Sequence, residues 1–158
     1  MSETAAGLLI YDFFDGELKI LLAHPGGPFW RDKPDEGWGI PKGKLERGEK
    51  PIEAAFRETQ EELGQMPRGE LTFDLGTIRQ RKKKVVYCWA WQGGIDKPVS
   101  SNMIEVEWPP KSGKMVTAPE IESAEWFTVD EARSRIIRRQ FIFIERLLGL
   151  LAEGSENE

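Results

Sequence analysis

The chain has 158 residues and a formal net charge of −5. This length fits one domain with a sizeable core, and the acidic balance argues against a protein that coats nucleic acid through general charge attraction. Cys88 is the only cysteine, which excludes an intrachain disulfide and predicts a reducing, cytoplasmic location.

The first element in chain order is a predicted β-hairpin. Apolar runs at 6–11 and 18–24 flank Asp15-Gly16, a dipeptide typical of two-residue hairpin turns. The amino-terminal run is too short to span a bilayer, and no basic start of a signal peptide precedes it. We therefore expect a sheet that begins near the amino terminus, and no membrane partner.

A loop is predicted at 25–43, because proline and glycine are frequent there and periodicity is weak. We expect this loop to form one wall of a site. A helix follows, since Pro51 suits a first helical turn and Gly64 suits a helix end. Its apolar face contains Ile52, Ala55, Phe56, Thr59 and Leu63.

Further strands are predicted in the second half of the chain. The runs 71–78 and 84–91 are strands, and the second has apolar residues on both faces, so we expect helices to cover both sides. The segments 104–108 and 114–116 flank a Pro-Pro turn and indicate a second hairpin. A closing strand is predicted at 125–127.

The last predicted element is a helix that opens at Asp130. Its inward positions are Ala132, Ile136, Ile137, Phe141, Ile144, Leu147, Leu148 and Leu151. Residues 154–158 carry no apolar side chain and are expected to be disordered, which leaves a single domain at 1–153. Strands covered on two faces predict an α/β (α+β) fold in the form of an α-β-α sandwich.

Three glutamates crowd one stripe of the helix that begins at Pro51. Glu58, Glu61 and Glu62 recur at spacings of three and four, which bring helical side chains together. Like charges at these spacings destabilise a helix, and Arg57 supplies only one compensating charge. Because Mg²⁺ and Mn²⁺ prefer carboxylate oxygen and keep substrate phosphates in their shell, the stripe indicates a metal and phosphate site. A solvated acidic helix face would give the same pattern.

The register that begins at Gly43 resembles the Nudix box. The glycine and charged positions of that motif are Gly43, Glu49, Arg57, Glu58, Glu61, Glu62 and Gly64. Thr59 and Gln65 depart from the pattern, which has bulky apolar residues at both positions. The resemblance implies an α-β-α sandwich around a mixed sheet. It also implies a hydrolase that cleaves a phosphoanhydride with water and Mg²⁺ or Mn²⁺.

The resemblance also implies roles for individual residues. The metal-binding positions are Gly43, through its carbonyl, Glu58, Glu61 and Glu62. The candidates for the general base are Glu58 and Glu61. Arg57 would orient the neighbouring carboxylates, Glu49 would close the loop through a salt bridge, and Glu120 occupies a region where some members have another catalytic or metal-binding carboxylate.

Substrate contacts are implied by a similarity to the dinucleoside polyphosphate branch and its diphosphoinositol relatives. The residues that carry it are Lys42 and the run 84–87, and in that branch lysines bind phosphates and a tyrosine stacks on a base. Lys42, Lys44, Lys84 and Tyr87 are the resulting candidates. Trp89 could stack on a base in place of Tyr87, and core packing is the alternative for either aromatic. The basic run 79–84 either holds a long phosphate chain or forms a solvated edge turn.

The segments 24–28 and 107–110 are similar to a bacterial Nudix subgroup of predicted nucleoside-triphosphate pyrophosphohydrolases. Dinucleoside polyphosphates and nucleoside triphosphates are thus both candidate substrates, with diphosphoinositol polyphosphates or nucleotide sugars as alternatives. His24 is either structural or catalytic. An alternative function is a nucleotide-sensing or partner-binding Nudix domain without turnover. We expect a monomer or a homodimer.

Overall fold

The computed structural model describes residues 3–156. The strands are β1 (Glu3–Phe14), β2 (Glu17–Pro25), β3 (Lys42–Lys44), β4 (Arg68–Arg81), β5 (Lys84–Gly94), β6 (Met103–Glu107), β7 (Met115–Pro119) and β8 (Ile121–Thr128). The helices are α1 (Pro28–Arg31), α2 (Pro51–Leu63), α3 (Val129–Arg135) and α4 (Phe141–Glu156), with a 3₁₀ turn at Arg138–Gln140. The predicted strands and both predicted hairpins are present.

A six-stranded mixed sheet lies at the centre of the fold. Its strand order is β4-β5-β1-β2-β8, and the short strand β3 pairs with β1 beside β2. The pairing of β1 with β5 is parallel, while the other pairings in the sheet are antiparallel. Strands β6 and β7 form a separate antiparallel hairpin. The β1–β2 turn needs Asp15 and Gly16 because both have positive φ, at 52° and 81°.

Helices cover the sheet on both faces, which confirms the predicted sandwich. Side chains alternate along β1, so Ala5, Leu9 and Tyr11 enter one core with α3 and α4, while Ala6, Leu8 and Ile10 enter the other core with α2. In β5, Val86, Cys88 and Ala90 belong to the first core, and Tyr87, Trp89 and Trp91 pack against the second. The central strands are therefore buried from two directions.

Helix α2 begins and ends where the sequence predicts. Pro51 occupies the first helical turn, and Gly64 ends the helix in a left-handed conformation with φ of 75°. A side chain at position 64 would also meet the carbonyl oxygen of Ser100, at 2.1 Å from Cβ. Thr59 is fully buried in this helix, and its hydroxyl has no hydrogen-bond partner among the described residues.

The carboxy-terminal helical region differs from its prediction in two ways. Helix α3 is capped by Thr128 rather than Asp130, and it ends at Arg135 because Ile136 adopts an extended conformation. Helix α4 extends to Glu156, so residues 154–156 are helical where the sequence predicts disorder, since no proline interrupts the helix there. Residues 157–158 of that predicted tail lie outside the described residues.

Between residues 3 and 156, none of the helices is both long enough and apolar enough to cross a bilayer.

Candidate metal and phosphate site

Three carboxylates meet at one point, and we call them the three-acid cluster: Glu58, Glu62 and Glu120. One oxygen from each lies within 4.8 Å of the others. Glu58 and Glu62 are one helical turn apart on α2, which places them on the same stripe. Glu120 lies between β7 and β8, where its N–H donates to the Asn102 carbonyl (3.0 Å) and its carbonyl accepts from the Gly26 N–H (3.0 Å).

The carboxylates of the three-acid cluster are partly or almost fully buried. Glu62 is only 6% exposed, and its Oε1 accepts a hydrogen bond from the backbone N–H of Lys42 at 3.2 Å. Burial raises the pKa of Glu62 well above its ordinary value, the neighbouring Glu120 raises it further, and the charge of Lys42 opposes the shift. Burial also raises the pKa of Glu58, against the hydrogen bond from Arg57. Crowded, partly desolvated carboxylate oxygens of this kind fit a hard divalent cation.

Arg57 connects the loop before α2 to the three-acid cluster. Its Nε and Nη2 donate to the two oxygens of Glu49 at 2.8 and 2.9 Å, and its Nη1 donates to Glu58 at 2.7 Å. Nη2 also donates to the Lys44 carbonyl at 2.9 Å. The hydrogen bonds from Arg57, with one from the Glu46 N–H, lower the pKa of Glu49 to about 2. The guanidinium therefore holds Glu58 in position while Glu49 holds the guanidinium.

Glu61 lies outside the three-acid cluster. Its side chain is 43% exposed and faces Nη1 of Arg57 at 3.3 Å, one helical turn away. Gly43, in contrast, lies directly against Glu58, because the pairing of Gly43 with Ala6 brings the β3 backbone close to α2. The structure thus brings Gly43, Glu58 and Glu62 together and leaves Glu61 at the rim.

Two of the predicted phosphate-binding lysines are neighbours. Lys42 pairs with Gly7 and Lys84 pairs with Glu3, so both side chains project from the same face of the sheet. Burial, together with the adjacent charge of Lys42, lowers the pKa of Lys84 to about 8. Glu3 is the counter-ion of Lys84, at 3.7 Å from its Nζ, and it also lies 3.9 Å from the exposed Lys44. An anion beside this pair would relieve their repulsion.

Tyr87 is placed apart from these lysines. It pairs with Ala6 and therefore projects from the opposite face of the sheet to Lys84. Its ring is parallel to that of Trp89, with centroids 6.3 Å apart, and both line a shallow cavity of about 370 Å³ with Pro51 and Ile52. Tyr87 is partly buried and packs against the second core while it also lines this cavity. Within the basic run 79–84, Arg81 forms an ion pair with Glu3, in which Nη2 of Arg81 lies 3.0 Å from a carboxylate oxygen.

Gln140 supports the site but was not singled out in the sequence. Its side chain is fully buried; Oε1 accepts from the backbone N–H of Ile40 at 2.9 Å, and Nε2 donates to Gln80 at 2.8 Å. It fixes the segment that leads into Lys42. The sequence signal for Gln140 is a polar residue directly before Phe141, in a segment whose other inward residues are apolar.

His24 is buried near the end of β2, beside the loop that follows this strand. Its Nε2–H donates to the carbonyl oxygen of Lys33 at 2.9 Å, which fixes the ring. It is not a member of the three-acid cluster. The loop itself contains the short helix α1 and ends in β3, which carries Lys42 and Gly43 to the site.

Comparisons with known proteins agree with this geometry. The NUDIX domain family model matches residues 1–147. The chain is 32% identical over 101 residues to the m7GpppN-mRNA hydrolase dcap-2 of Caenorhabditis elegans, which covers 61% of this chain and 11% of that protein. It is 41% identical over 49 residues to an RNA pyrophosphohydrolase of Stenotrophomonas maltophilia, over 30% of this chain and 24% of that protein. The chain therefore spans a minor part of both relatives.

Solved structures share the fold over almost the whole chain. A C. elegans Ap4A hydrolase binary complex superposes with a TM-score of 0.68 at 23% identity, covering 96% of this chain and 98% of the other. The NUDIX domain of Shewanella oneidensis NrtR complexed with ADP ribose gives a TM-score of 0.65 at 16% identity, covering 96% and 89%. At these identities the likeness concerns the fold.

Proposed function

Because the chain belongs to the NUDIX domain family, we propose that it hydrolyses a phosphoanhydride bond in a nucleoside polyphosphate, with a divalent cation and water. The observation that carries this proposal is the convergence of Glu58, Glu62 and Glu120 in a half-buried cluster beside Lys42. The names of the relatives, an mRNA hydrolase, an RNA pyrophosphohydrolase and an Ap4A hydrolase, support the substrate class.

We assign the cation to Mg²⁺, with Mn²⁺ as a substitute. The residues that would hold it are Glu58, Glu62 and Glu120, and the backbone of Gly43 is close enough to Glu58 to belong to the same site. When bound, the cation neutralises phosphate charge and makes water more acidic. The fit rests on the chemistry of the donors, since crowded carboxylate oxygens match an oxygen-preferring cation.

The remaining steps belong to side chains of the chain itself. Arg57 holds Glu58 through a 2.7 Å hydrogen bond and so keeps that carboxylate at its position in the three-acid cluster. Glu61, at the rim and within 3.3 Å of Arg57, is the side chain that we assign to accept a proton from the attacking water. Phosphoryl transfer asks mainly for positioning and charge stabilisation, which these fixed groups supply.

Lys42 and Lys84 are assigned to the phosphates. They lie on one face of the sheet, and Lys42 is close enough to the three-acid cluster to lower the pKa of Glu62. A phosphate chain that starts at the cluster would therefore meet both ammonium groups in turn. This arrangement favours dinucleoside polyphosphates or nucleoside triphosphates over nucleotide sugars, which have only two phosphates. Diphosphoinositol polyphosphates form the remaining alternative.

Product analysis in isotopically labelled water tests the proposal. The purified chain with Mg²⁺ is expected to release products from at least one dinucleoside polyphosphate or nucleoside triphosphate, with the label on one phosphorus. The Glu62→Gln variant should lose roughly a hundredfold or more in rate. The matched control is Glu145→Gln, an exposed carboxylate on α4, which should retain the wild-type rate.

The alternative function, a nucleotide-sensing or partner-binding domain, predicts a different result. No product from any nucleotide with Mg²⁺ or Mn²⁺, together with a nucleotide-dependent rise in melting temperature, would replace the hydrolase by the sensor.

The same preparation reports the oligomeric state, for which we propose a monomer or a homodimer. We also propose a single domain, whose last helix continues past the expected boundary at 153 to Glu156. A cytoplasmic location is proposed as well, which the buried, free thiol of Cys88 supports.

A further inference from the structure

A second cavity, of about 460 Å³, lies outside the three-acid cluster, between the loop after β2 and the strands β7 and β8. We call it the aromatic cavity because His24, Trp30 and Trp38 line it. Arg31 and Glu122 contribute a donor and an acceptor to the same lining, and both are exposed. Its volume lies within the roughly 300–1,000 Å³ that is usual for small-molecule sites.

Two walls of the aromatic cavity are rigid. Trp38 is 6% exposed, and its indole N–H donates to the Pro34 carbonyl at 2.7 Å. The His24 ring lies 4.8 Å from the Trp38 ring, and its Nε2–H is committed to the Lys33 carbonyl. Because the protein itself satisfies both of these N–H groups, neither needs a ligand partner, and the small part of the two rings that faces the cavity is apolar.

The third wall, Trp30, is fixed by a glycine. A Cβ at Gly37 would stand 2.4 Å from the indole ring of Trp30, and Gly37 has a φ of 78°, so both the close approach and the backbone conformation exclude larger residues. The rings of Trp30 and His24 are nearly perpendicular, with centroids 6.2 Å apart. The half-buried Trp30 thus has a defined position at the side of the cavity.

The aromatic cavity adjoins the three-acid cluster. Pro119 lines the cavity, and the next residue, Glu120, belongs to the cluster. Pro25 lines both the aromatic cavity and the space around Lys42 and Glu62. A molecule with a flat ring in the cavity could therefore extend its phosphates toward the carboxylates.

We propose that the aromatic cavity binds the nucleobase of the substrate, with Trp30 as its main stacking surface. This assignment rests on the proposed function, because it takes the substrate to be a nucleotide. Every nucleobase can stack on an aromatic side chain, whichever hydrogen-bonding groups its edge carries. Arg31 and Glu122 supply a donor and an acceptor for the polar edge of a base, as the guanidinium only donates and the carboxylate only accepts.

Metal-free binding separates this assignment from hydrolysis. The full chain in EDTA is titrated calorimetrically with adenosine 5′-monophosphate, guanosine 5′-monophosphate and ribose 5-phosphate, which lacks the base. For at least one nucleotide, the wild-type chain is expected to bind about tenfold or more tightly than it binds ribose 5-phosphate. Trp30→Ala should bind the nucleotide no more tightly than ribose 5-phosphate, and Trp30→Tyr should keep most of the preference for the nucleotide. Trp126→Ala is the matched control, since Trp126 is also half-buried but lines a different cavity.

Several results would overturn the assignment. These are equal affinity of the wild-type chain for the nucleotides and ribose 5-phosphate, no detectable nucleotide binding at millimolar concentration, or an unchanged ratio in a folded Trp30→Ala variant. A failure of the proposed function looks different. In that case no nucleotide is hydrolysed with Mg²⁺, while the metal-free ratio and its loss in Trp30→Ala persist.

Discussion

The backbone of Gly43 lies against the carboxyl group of Glu58, so closely that a methyl group at position 43 would stand 2.1 Å from the carboxyl carbon. The φ of Gly43 is not in the left-handed region, so the requirement for glycine here is one of space. Strand β3 can approach α2 only because this side chain is absent.

Gly43→Ala should displace the Glu58 carboxylate without preventing folding. We expect the Mg²⁺-dependent rate to fall by about tenfold or more, because a misplaced catalytic group costs far more than a misplaced surface group. Gly149→Ala is the control, since a Cβ at Gly149 meets nothing within 4 Å. Steady-state rates and melting temperatures of both variants are measured together. An unchanged rate in Gly43→Ala would show that this contact does not matter for turnover.

Glu62→Gln should raise stability while it lowers activity. In the metal-free protein, the raised pKa of Glu62 means that the folded state holds its proton more tightly than the unfolded state, whose value is about 4.3. The contribution of Glu62 to the free energy of unfolding therefore decreases as the pH rises from about 4.3 toward the raised pKa of Glu62 in the folded state. We expect the variant to exceed the wild type by about 1–4 kcal/mol at pH 8 in EDTA.

Urea denaturation at two pH values measures this effect. At about pH 3, where Glu62 is almost entirely protonated in both states, the two proteins should be nearly equal in stability, because glutamine resembles the neutral carboxyl group. Added Mg²⁺ should stabilise the wild type more than the variant. A variant that is less stable than the wild type at pH 8 without metal would contradict the charge crowding inferred here.

Binding of a polyphosphate should be accompanied by protonation of Lys84. Burial and the charge of Lys42 lower the pKa of Lys84 to about 8, and a bound anion would raise it again. At about pH 8.5 we expect net proton uptake, measured calorimetrically in buffers of different ionisation enthalpy. Lys84→Met should abolish the uptake, whereas Lys83→Met, at the exposed β4–β5 turn, should not. Equal uptake in both variants would place the phosphates elsewhere.

Thr59→Val should stabilise the protein by about 1 kcal/mol, because the buried hydroxyl has no partner and valine has nearly the same shape. Thr128→Val should have the opposite effect of about 1 kcal/mol, since the Thr128 hydroxyl caps α3 by accepting from the Glu131 N–H at 3.2 Å. Chemical denaturation of both variants checks the pair. A destabilised Thr59→Val protein would reveal a partner for that hydroxyl.

The sequence predicts the elements well where local chemistry decides them. Pro51 and Gly64 mark both ends of α2, and Asp15-Gly16 marks the first hairpin, because these residues constrain the backbone directly. Helix α3 shows the limit of this approach. The expected start is Asp130, but a Thr128-x-x-Glu131 capping box, in which each side chain accepts from the other residue's backbone N–H, starts the helix two residues earlier.

The site depends on tertiary pairing as well. Glu120 reaches Glu58 and Glu62 only because β8 pairs with β2, which no local pattern reveals. Two other placements do have a local signal. Glu62 is four residues from Glu58 and shares its stripe, whereas Glu61 is four residues from Arg57 and pairs with it. Lys84 and Tyr87 are three residues apart in a strand, and odd spacings place side chains on opposite faces.

Strand β1 lies inside the sheet, with β5 along one edge and β2 and β3 along the other. A chain leaving the ribosome can close the β1–β2 hairpin early, but the second edge of β1 stays unpaired until residues 84–94 have been synthesised. This edge borders the apolar run 5–11, and open apolar edges invite pairing between chains. Until β5 is made, this edge is therefore free to pair with another chain, and Glu120 joins the three-acid cluster only after most of the chain has been synthesised.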